Sequence, residues 1–433
     1  MDINFLYNKF LQCSSVTTDS RNCPSGSLFI ALKGENFNGN TFAGKALESG
    51  CAYAIVDEAT AAIPGDNRFL LVENCLKALQ LLAREHRRRW GKTVIGITGT
   101  NGKTTTKELM AAVLLQRYHL LYTQGNLNNH IGVPLTLLRL KPEHELAVIE
   151  MGASHPGDIQ ELVEIAEPNC GLITNVGKAH LQGFGSLEGV IKTKGELYDF
   201  LRRQPDSFIF LHQDNPYLQQ MAQGLKQERY GSEENLSVSG QVTGNTSYLS
   251  FCWKQPEEEK VHDVHTHLIG EYNLSNALAA VAVGCHFGVD PNAIDKALEE
   301  YIPQNNRSQL QQTTDNTLII DAYNANPTSM RASIENFYRM ESEYSKMLIL
   351  GDMRELGADS PAEHQTIIEL LQQHGFTDVI LVGEQFAHTS HTFHSYPDAT
   401  TLIEILKQEK PQGKVILIKG SNGIKLSSVI EYL

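Results

Sequence analysis

Thr93-Val-Ile-Gly-Ile97 runs through Thr98 into Gly99-Thr-Asn-Gly-Lys-Thr-Thr105. The first run is a short apolar strand candidate, the second a glycine-containing turn, and the residues on to Gln116 read as a helix. In that order, glycines let backbone N–H groups turn toward an anion, and the following helix N-terminus adds its own unpaired donors. Lys103 can reach terminal phosphates, and the Thr104 hydroxyl can ligate Mg²⁺. A strict G-x-x-x-x-G-K-[ST] pattern would need glycine at 97, where Ile97 stands; the glycines are at 96, 99 and 102. Nucleotide binding is the expectation. The plain alternative is a glycine turn with an exposed lysine.

Working outward, a phosphate loop needs an acidic metal ligand at the end of a neighbouring strand. Glu150, straight after Ala147-Val-Ile149, suits Mg²⁺ as a hard oxygen ligand. His180 follows another strand candidate, Gly171-Leu-Ile-Thr174; taken alone, a histidine there is more often structural than functional. Asn175-Val-Gly-Lys178 is not the N-K-x-D base-reading motif of a GTPase, so a GTP switch is disfavoured. By spacing alone Lys192 and Lys194 read as a solvated helix face. His262, His265 and His267 sit in a polar alternating stretch that reads as an exposed strand rather than a metal cluster.

The last third alternates most cleanly. Leu318-Ile-Ile320, Met347-Leu-Ile-Leu350, Val379-Ile-Leu-Val382 and Val415-Ile-Leu-Ile418 are short aliphatic runs separated by helical stretches. That alternation argues for a parallel sheet with right-handed crossovers, whose ligands sit beyond the carboxyl ends of the strands. Residues 1–90 read as a small α/β unit, with strands at Leu28–Leu32 and Tyr53–Val56 and helices at Thr41–Glu48 and Asn74–Arg89. Gly91 marks a first boundary. The segment from about 230 to 268 reads as an antiparallel excursion, Asn273 to His286 as a helix, and Pro303-Gln-Asn-Asn-Arg307 as a turn at a second boundary. The expected division is 1–90, 91–305 and 306–433.

A chain of 433 residues is long enough for two or three domains, and 41% hydrophobic with 20% charged residues describes an ordinary globular protein. The net charge of −14 disfavours a large nucleic-acid surface but not a local phosphate pocket. Seven scattered cysteines without a C-x-x-C pair point away from zinc and toward a reducing compartment. Met1 to Ser15 has no basic start followed by an apolar run, so no signal peptide is expected. The longest stretch free of polar side chains, Ala277 to Cys285, is far short of a membrane span.

With these residues in hand, the chain resembles the Mur ligase family nearly end to end. The motifs in order are Gly99 to Thr105, Glu150-Met-Gly152, Asn175 to His180, Lys194-Gly-Glu196, Gly270-Glu-Tyr-Asn-Leu-Ser-Asn276, Asn306-Arg307 and Asp321-Ala-Tyr-Asn-Ala-Asn-Pro327. Further similar stretches are Thr18 to Arg21, Ala31 to Gly34, Gly125 to Gly132 and Leu350-Gly-Asp-Met-Arg-Glu-Leu-Gly357. Two positions depart from the family pattern: Asn38-Gly-Asn40 where D-G-H is common, and Lys419-Gly-Ser-Asn422 where K-G-S-R is common. The D-N-P-R motif of the diaminopimelate- or lysine-adding members is absent from the last domain.

The resemblance implies three domains: a small N-terminal α/β UDP-sugar domain, a central P-loop ATPase domain with a mostly parallel sheet, and a C-terminal Rossmann-like doubly wound domain. It implies ATP-dependent joining of D-Ala-D-Ala to UDP-N-acetylmuramoyl-tripeptide in peptidoglycan precursor synthesis, by a cytoplasmic monomer with ATP and two Mg²⁺ ions. Lys103, Glu150, His180 and a carbamylated Lys194 would be catalytic, the last three with Thr104 holding metal. ATP would meet Gly99, Thr100, Asn101, Gly102, Lys103, Thr104, Thr105, Asn273, Asn276, Arg307 and Asp321. Ser20, Arg21, Lys33, Asn38, Asn126 and Asn129 would bind the UDP-sugar peptide, and Tyr323, Asn324 and Asn326 the dipeptide. A sister ligase, a folylpolyglutamate synthetase and a non-catalytic ATP-binding switch remain as alternatives.

Overall fold

The computed structural model describes residues 2–244, 248–256, 258–304 and 307–433. Its strands form three α/β sheets and a two-stranded hairpin. The first sheet is parallel, in the order Val16–Thr17, Leu28–Ile30, Tyr53–Val56, Phe69–Leu71. The hairpin pairs Lys33–Gly34 with Phe37–Asn38. The expected helix at Thr41–Glu48 divides into a 3₁₀ turn, Gly39–Phe42, and a helix, Ala43–Glu48; the Asn38 carboxamide receives the Asn40 N–H at the start of that turn.

Helix Cys75–Trp90 begins where Asn74 Oδ1 accepts the Lys77 N–H and ends at Gly91, whose N–H bonds the Arg87 carbonyl. Its basic end does more than complement its own dipole. Arg87, almost fully buried, donates to the Ala166 carbonyl at 3.0 Å, the Glu167 carbonyl at 2.9 Å and Asn169 Oδ1 at 2.7 Å. It thereby closes the last turn of helix Asp158–Ala166, which belongs to the second sheet's layer. One apolar cluster runs through both units, from Leu6, Tyr7 and Phe10 to Leu201 and Ala222.

The second sheet has nine strands. Leu120–Tyr122, Leu146–Glu150, Thr93–Thr98, Cys170–Ile173, Phe208–His212, Lys226–Gly231 and Val238–Val242 are parallel in that spatial order. Only Tyr248–Lys254 and His262–Ile269 add antiparallel pairs, so the excursion begins later than the composition near 230 suggests. His262 departs from the exposed-strand expectation. It is buried, stacked on Trp253 at 4.2 Å and held by Asp295 at 2.5 Å, because helix Pro291–Glu300 covers that face. His265 and His267 do face outward. Helix Leu274–His286, rich in alanine, packs on helix Lys103–Leu114.

The third sheet orders Gln309–Gln312, Asn316–Asp321, Lys414–Lys419, Ser345–Gly351, Val379–Val382 and His394–Tyr396; all but the first pair are parallel. Its aliphatic runs are buried on both faces, as helices on both sides require. The expected boundary at 305/306 and Asn306 lie outside the described residues. Among the described residues no helix is long and apolar enough to cross a membrane.

Substituting Arg87→Ala would leave buried carbonyls at Ala166 and Glu167 unpaired. The expected loss is about 2–3 kcal/mol for charged, buried hydrogen bonds, read as a lower urea midpoint of the first unfolding transition. An unchanged midpoint would remove the arginine from the joint.

Candidate active site

Strand Thr93–Thr98 lies between Leu146–Glu150 and Cys170–Ile173, where the chain's strand order reverses. Such a reversal opens a crevice at the carboxyl ends of the strands. The turn from Gly99 to Gly102 occupies it. Gly99 has φ +144° and a Cβ there would fall 2.0 Å from Thr174 Oγ1; Gly102 has φ +77° and a Cβ would fall 2.5 Å from Asn276 Oδ1. Both backbone conformation and space therefore require glycine.

The loop is strapped to the neighbouring segment. Thr100 N–H donates to the Asn175 carbonyl at 2.9 Å, and Asn101 N–H to Asn175 Oδ1 at 2.9 Å. Thr174 Oγ1 and Asn175 Nδ2 donate back to the Asn101 carbonyl at 2.6 and 3.1 Å. Lys103 folds over the loop, its ammonium 2.7 Å from the Gly99 carbonyl and 3.0 Å from that of Thr100. Burial drives this ammonium down to about 8, countered by nearby Glu150. A phosphate arriving there would reverse that cost.

Glu150 ends its strand almost fully buried. Its Oε1 accepts from Thr104 Oγ1 at 3.2 Å and Asn128 Nδ2 at 2.8 Å, and its backbone N–H is held by Thr123 Oγ1 at 3.0 Å. Its Oε2 is buried with no hydrogen-bond partner among the described residues. A buried, under-satisfied carboxylate oxygen beside a threonine hydroxyl fits a hard divalent cation. No group of three His, Cys, Asp or Glu side chains converges among the described residues, so a cation there would complete its shell with water and phosphate oxygens, as Mg²⁺ commonly does.

Lys194 corrects the solvated-face reading. Helix Leu187–Arg202 turns Lys192 outward but buries Lys194, whose ammonium has only the Ala153 carbonyl at 3.5 Å and the Phe184 ring at 5.4 Å. Burial, with Lys103 nearby, pushes it well below the ordinary lysine value. Spacing could not show this, because the element that covers Lys194 lies elsewhere in the chain.

A cavity of about 810 Å³ spans the joint between second and third sheets. It is lined by Thr100 to Thr105, Glu150 and His180, and by Asn126, Asn128 and Asn129; Arg307, Asp321, Tyr323, Asn324 and Lys419 close the other side. Asn273 and Asn276 also line it, though they are buried and largely spent on Ile269 O, Thr106 Oγ1 and each other. Arg307 lies over the Tyr323 ring at 3.8 Å. Asp321 accepts from Lys419 at 2.5 Å and Ser333 at 3.1 Å. The His180 imidazole stands 2.5 Å from Glu355 Oε2 and holds that carboxyl below its ordinary range.

Other expected residues, Asn129 excepted, lie apart from the cavity lining. Arg21 is exposed and paired with Asp19; Ser20 neighbours that pair. Lys33 reaches Asp57 at 2.9 Å and Glu58 at 3.0 Å, and Asn38 donates to Glu58. Asn326 caps helix Pro327–Arg339 and pairs with Asn101 through its Nδ2 at 2.7 Å. Asn129 Oδ1 receives Gly132 N–H while its side chain borders the cavity. Sequence reasoning missed Asn128, Lys419 and Glu355 as site residues. The only signal was that each sits in a quoted motif or at a strand end.

A strapped glycine loop, a half-buried lysine folded over it and an under-satisfied carboxylate at a strand reversal define a P-loop nucleotide-binding protein. Three family models match: the Mur ligase family catalytic domain over residues 12–87, the Mur ligase middle domain over 97–284, and the Mur ligase glutamate ligase domain over 306–422. The chain belongs to the Mur ligase family. It is 35% identical to the UDP-N-acetylmuramoyl-tripeptide–D-alanyl-D-alanine ligase of Bacillus subtilis, across 96% of this chain and 92% of that one. Among solved structures it is similar to MurF from Acinetobacter baumannii, with a TM-score of 0.87, 29% identity and coverage of 99% and 97%. It is also similar to Thermotoga maritima MurF in complex with ADP, with a TM-score of 0.85, 27% identity and coverage of 98% and 97%.

Gly102→Ala is expected to abolish measurable binding of a fluorescent ADP analogue while the fold persists by circular dichroism. Binding within threefold of wild type would show that the loop does not form the phosphate site.

Proposed function

We propose that this chain joins D-Ala-D-Ala to UDP-N-acetylmuramoyl-tripeptide at the expense of ATP, completing a peptidoglycan precursor in a bacterial cytoplasm as a monomer. One observation carries the reading: a single cavity brings the phosphate loop and Glu150 of one sheet against Arg307, Asp321, Tyr323 and Asn324 of another. The names of the relatives supply the substrate pair. In this reading residues 1–90 receive the UDP-sugar through Ser20, Arg21, Lys33 and Asn38, with Asn126 and Asn129 nearer the peptide. Residues 91–305 hold ATP, and 306–433 present the dipeptide through Tyr323 and Asn324. Asn326 acts there mainly through its helix cap.

A carboxylate is a poor acyl donor and must be activated. Its oxygen attacks the γ-phosphorus, the bond to ADP breaks, and an acyl phosphate forms. The dipeptide nitrogen then attacks the acyl carbon; a C–N bond forms, the C–O bond to phosphate breaks, and the nitrogen's proton passes to solvent. Backbone N–H groups of the loop and Lys103 orient the phosphates and offset their charge, so catalysis rests on positioning and electrostatics. Mg²⁺ held by Thr104, Glu150 and His180 would supply further positive charge against the phosphoryl oxygens. Arg307 offsets repulsion between the two anionic substrates, and docking of the third domain keeps water from the acyl phosphate.

Lys194 fits the carbamylation that the family resemblance implies. Only a neutral amine adds carbon dioxide, and burial disfavours the charged form of this one. The resulting anion could help hold a second cation where an ammonium could not. Lys194→Ala is expected to lower kcat strongly, with partial recovery on adding short-chain carboxylates; full activity without them would remove the modification from the mechanism.

The reaction itself is tested by phosphate release from ATP with UDP-N-acetylmuramoyl-tripeptide, comparing D-Ala-D-Ala, diaminopimelate, lysine and no acceptor, with product mass read in the same tubes. Release that depends on the dipeptide, with the matching mass gain, is the expected result. Release with diaminopimelate or lysine instead would transfer the chain to a sister reaction, and none at all would favour a binding switch.

A further inference from the structure

His180 is held by a residue from the other side of the joint. It stands at the head of the short helix Leu181–Phe184, just past the segment strapped to the phosphate loop. Glu355 follows strand Ser345–Gly351 in the third domain. Beyond the side-chain contact at 2.5 Å, the Glu355 carbonyl accepts the Gln182 N–H at 3.1 Å. Leu181 is buried in the third domain's apolar cluster with Met353 and Leu356. One residue thus grips the turn by backbone and side chain while its neighbours grip it by apolar packing.

The backbone on both sides of this contact is unusual. His180 has φ +51° and Glu355 φ +64°, although neither is glycine. A left-handed conformation at an ordinary residue costs about 1–3 kcal/mol and persists where the surroundings enforce it. Two such residues meeting across a domain joint, with their side chains facing one another, indicate a geometry kept for use. Glu355 Oε2 lies 2.5 Å from Nδ1 of a ring that lines the cavity, and Nδ1 has no aligned hydrogen-bond partner among the described residues, so the carboxylate limits where that edge of the ring can sit.

We infer that Glu355 is a positioning residue that orients the His180 ring across the domain joint, so that the phosphate site is complete only when the third domain is docked. The inference rests on the proposed ligase reading for what His180 does, but the contact itself does not depend on which amine is added. It also accounts for a carboxylate placed beside a site that binds anions. Spent on an imidazole, Glu355 presents less free negative charge to ATP.

The test compares Glu355→Ala, Glu355→Gln and Glu363→Gln in the full chain. Glu363 pairs with Lys178 at 2.6 Å across the same joint without touching His180, so its variant measures docking alone. Kinetics and Mn²⁺ affinity in the presence of ADP, read by electron paramagnetic resonance, are measured with each. For Glu355→Ala the expected result is a kcat and a Mn²⁺ affinity each about 10–100-fold lower, with KM for D-Ala-D-Ala and the melting temperature near wild type. Glu355→Gln, which keeps an oxygen acceptor, should recover a large part of both, and Glu363→Gln should leave both near wild type. Unchanged kcat and Mn²⁺ affinity in Glu355→Ala would overturn the inference, as would equal losses in Glu363→Gln. If the wild type joins no dipeptide but Mn²⁺ affinity still follows Glu355, the ligase reading fails and the positioning role stands.

Discussion

Asn101 is held from three directions, and the rest of the site depends on that. Asn175 takes its N–H, Thr174 and Asn175 together hold its carbonyl, and Asn326 of the third domain takes its side chain. The first two contacts fix the glycine loop against the adjacent strand's exit. The third ties the same loop to a helix N-cap across the joint. The residue that shapes the phosphate cradle is therefore also one that registers the position of the third domain, and nucleotide geometry and domain docking share one side chain.

Features written in local backbone chemistry were legible in the sequence. Gly99 and Gly102 announced a turn that side chains cannot adopt, and the aliphatic runs in the last third announced a doubly covered parallel sheet. Element ends were less legible, as the split of Thr41–Glu48 into a 3₁₀ turn and a short helix shows. The polar alternation near 262 misdirected the reading of His262, because alternation reports two faces and not what covers each. A helix from thirty residues later covers one of them here.

Within the site, residues marked by their position along one element or by a family motif were readable as candidates, and several brought in only by long-range contact were not. Glu150 was readable as the last residue of a strand. Asn128, which holds its carboxylate, was not, since nothing local distinguishes it from Asn126 or Asn129. Lys194 looked identical in type to Lys192 two residues earlier; only tertiary burial separates them. Lys419 and Glu355 come from the third domain and acquire meaning only when the two sheets face one another.

The apolar cluster that runs from Leu6 to Ala222 has an evolutionary consequence. Two units that share one interior must change together, because a substitution beneath the first sheet is felt beneath the second. The third sheet has interiors of its own and meets its neighbour through polar side chains and the apolar contacts of Leu181, Ile269 and Tyr248. Side chains around Tyr323 and Asn324 can therefore drift without disturbing the packing under the phosphate loop. In such an architecture the surface that Tyr323 and Asn324 present can be altered independently of the packing beneath the glycine loop.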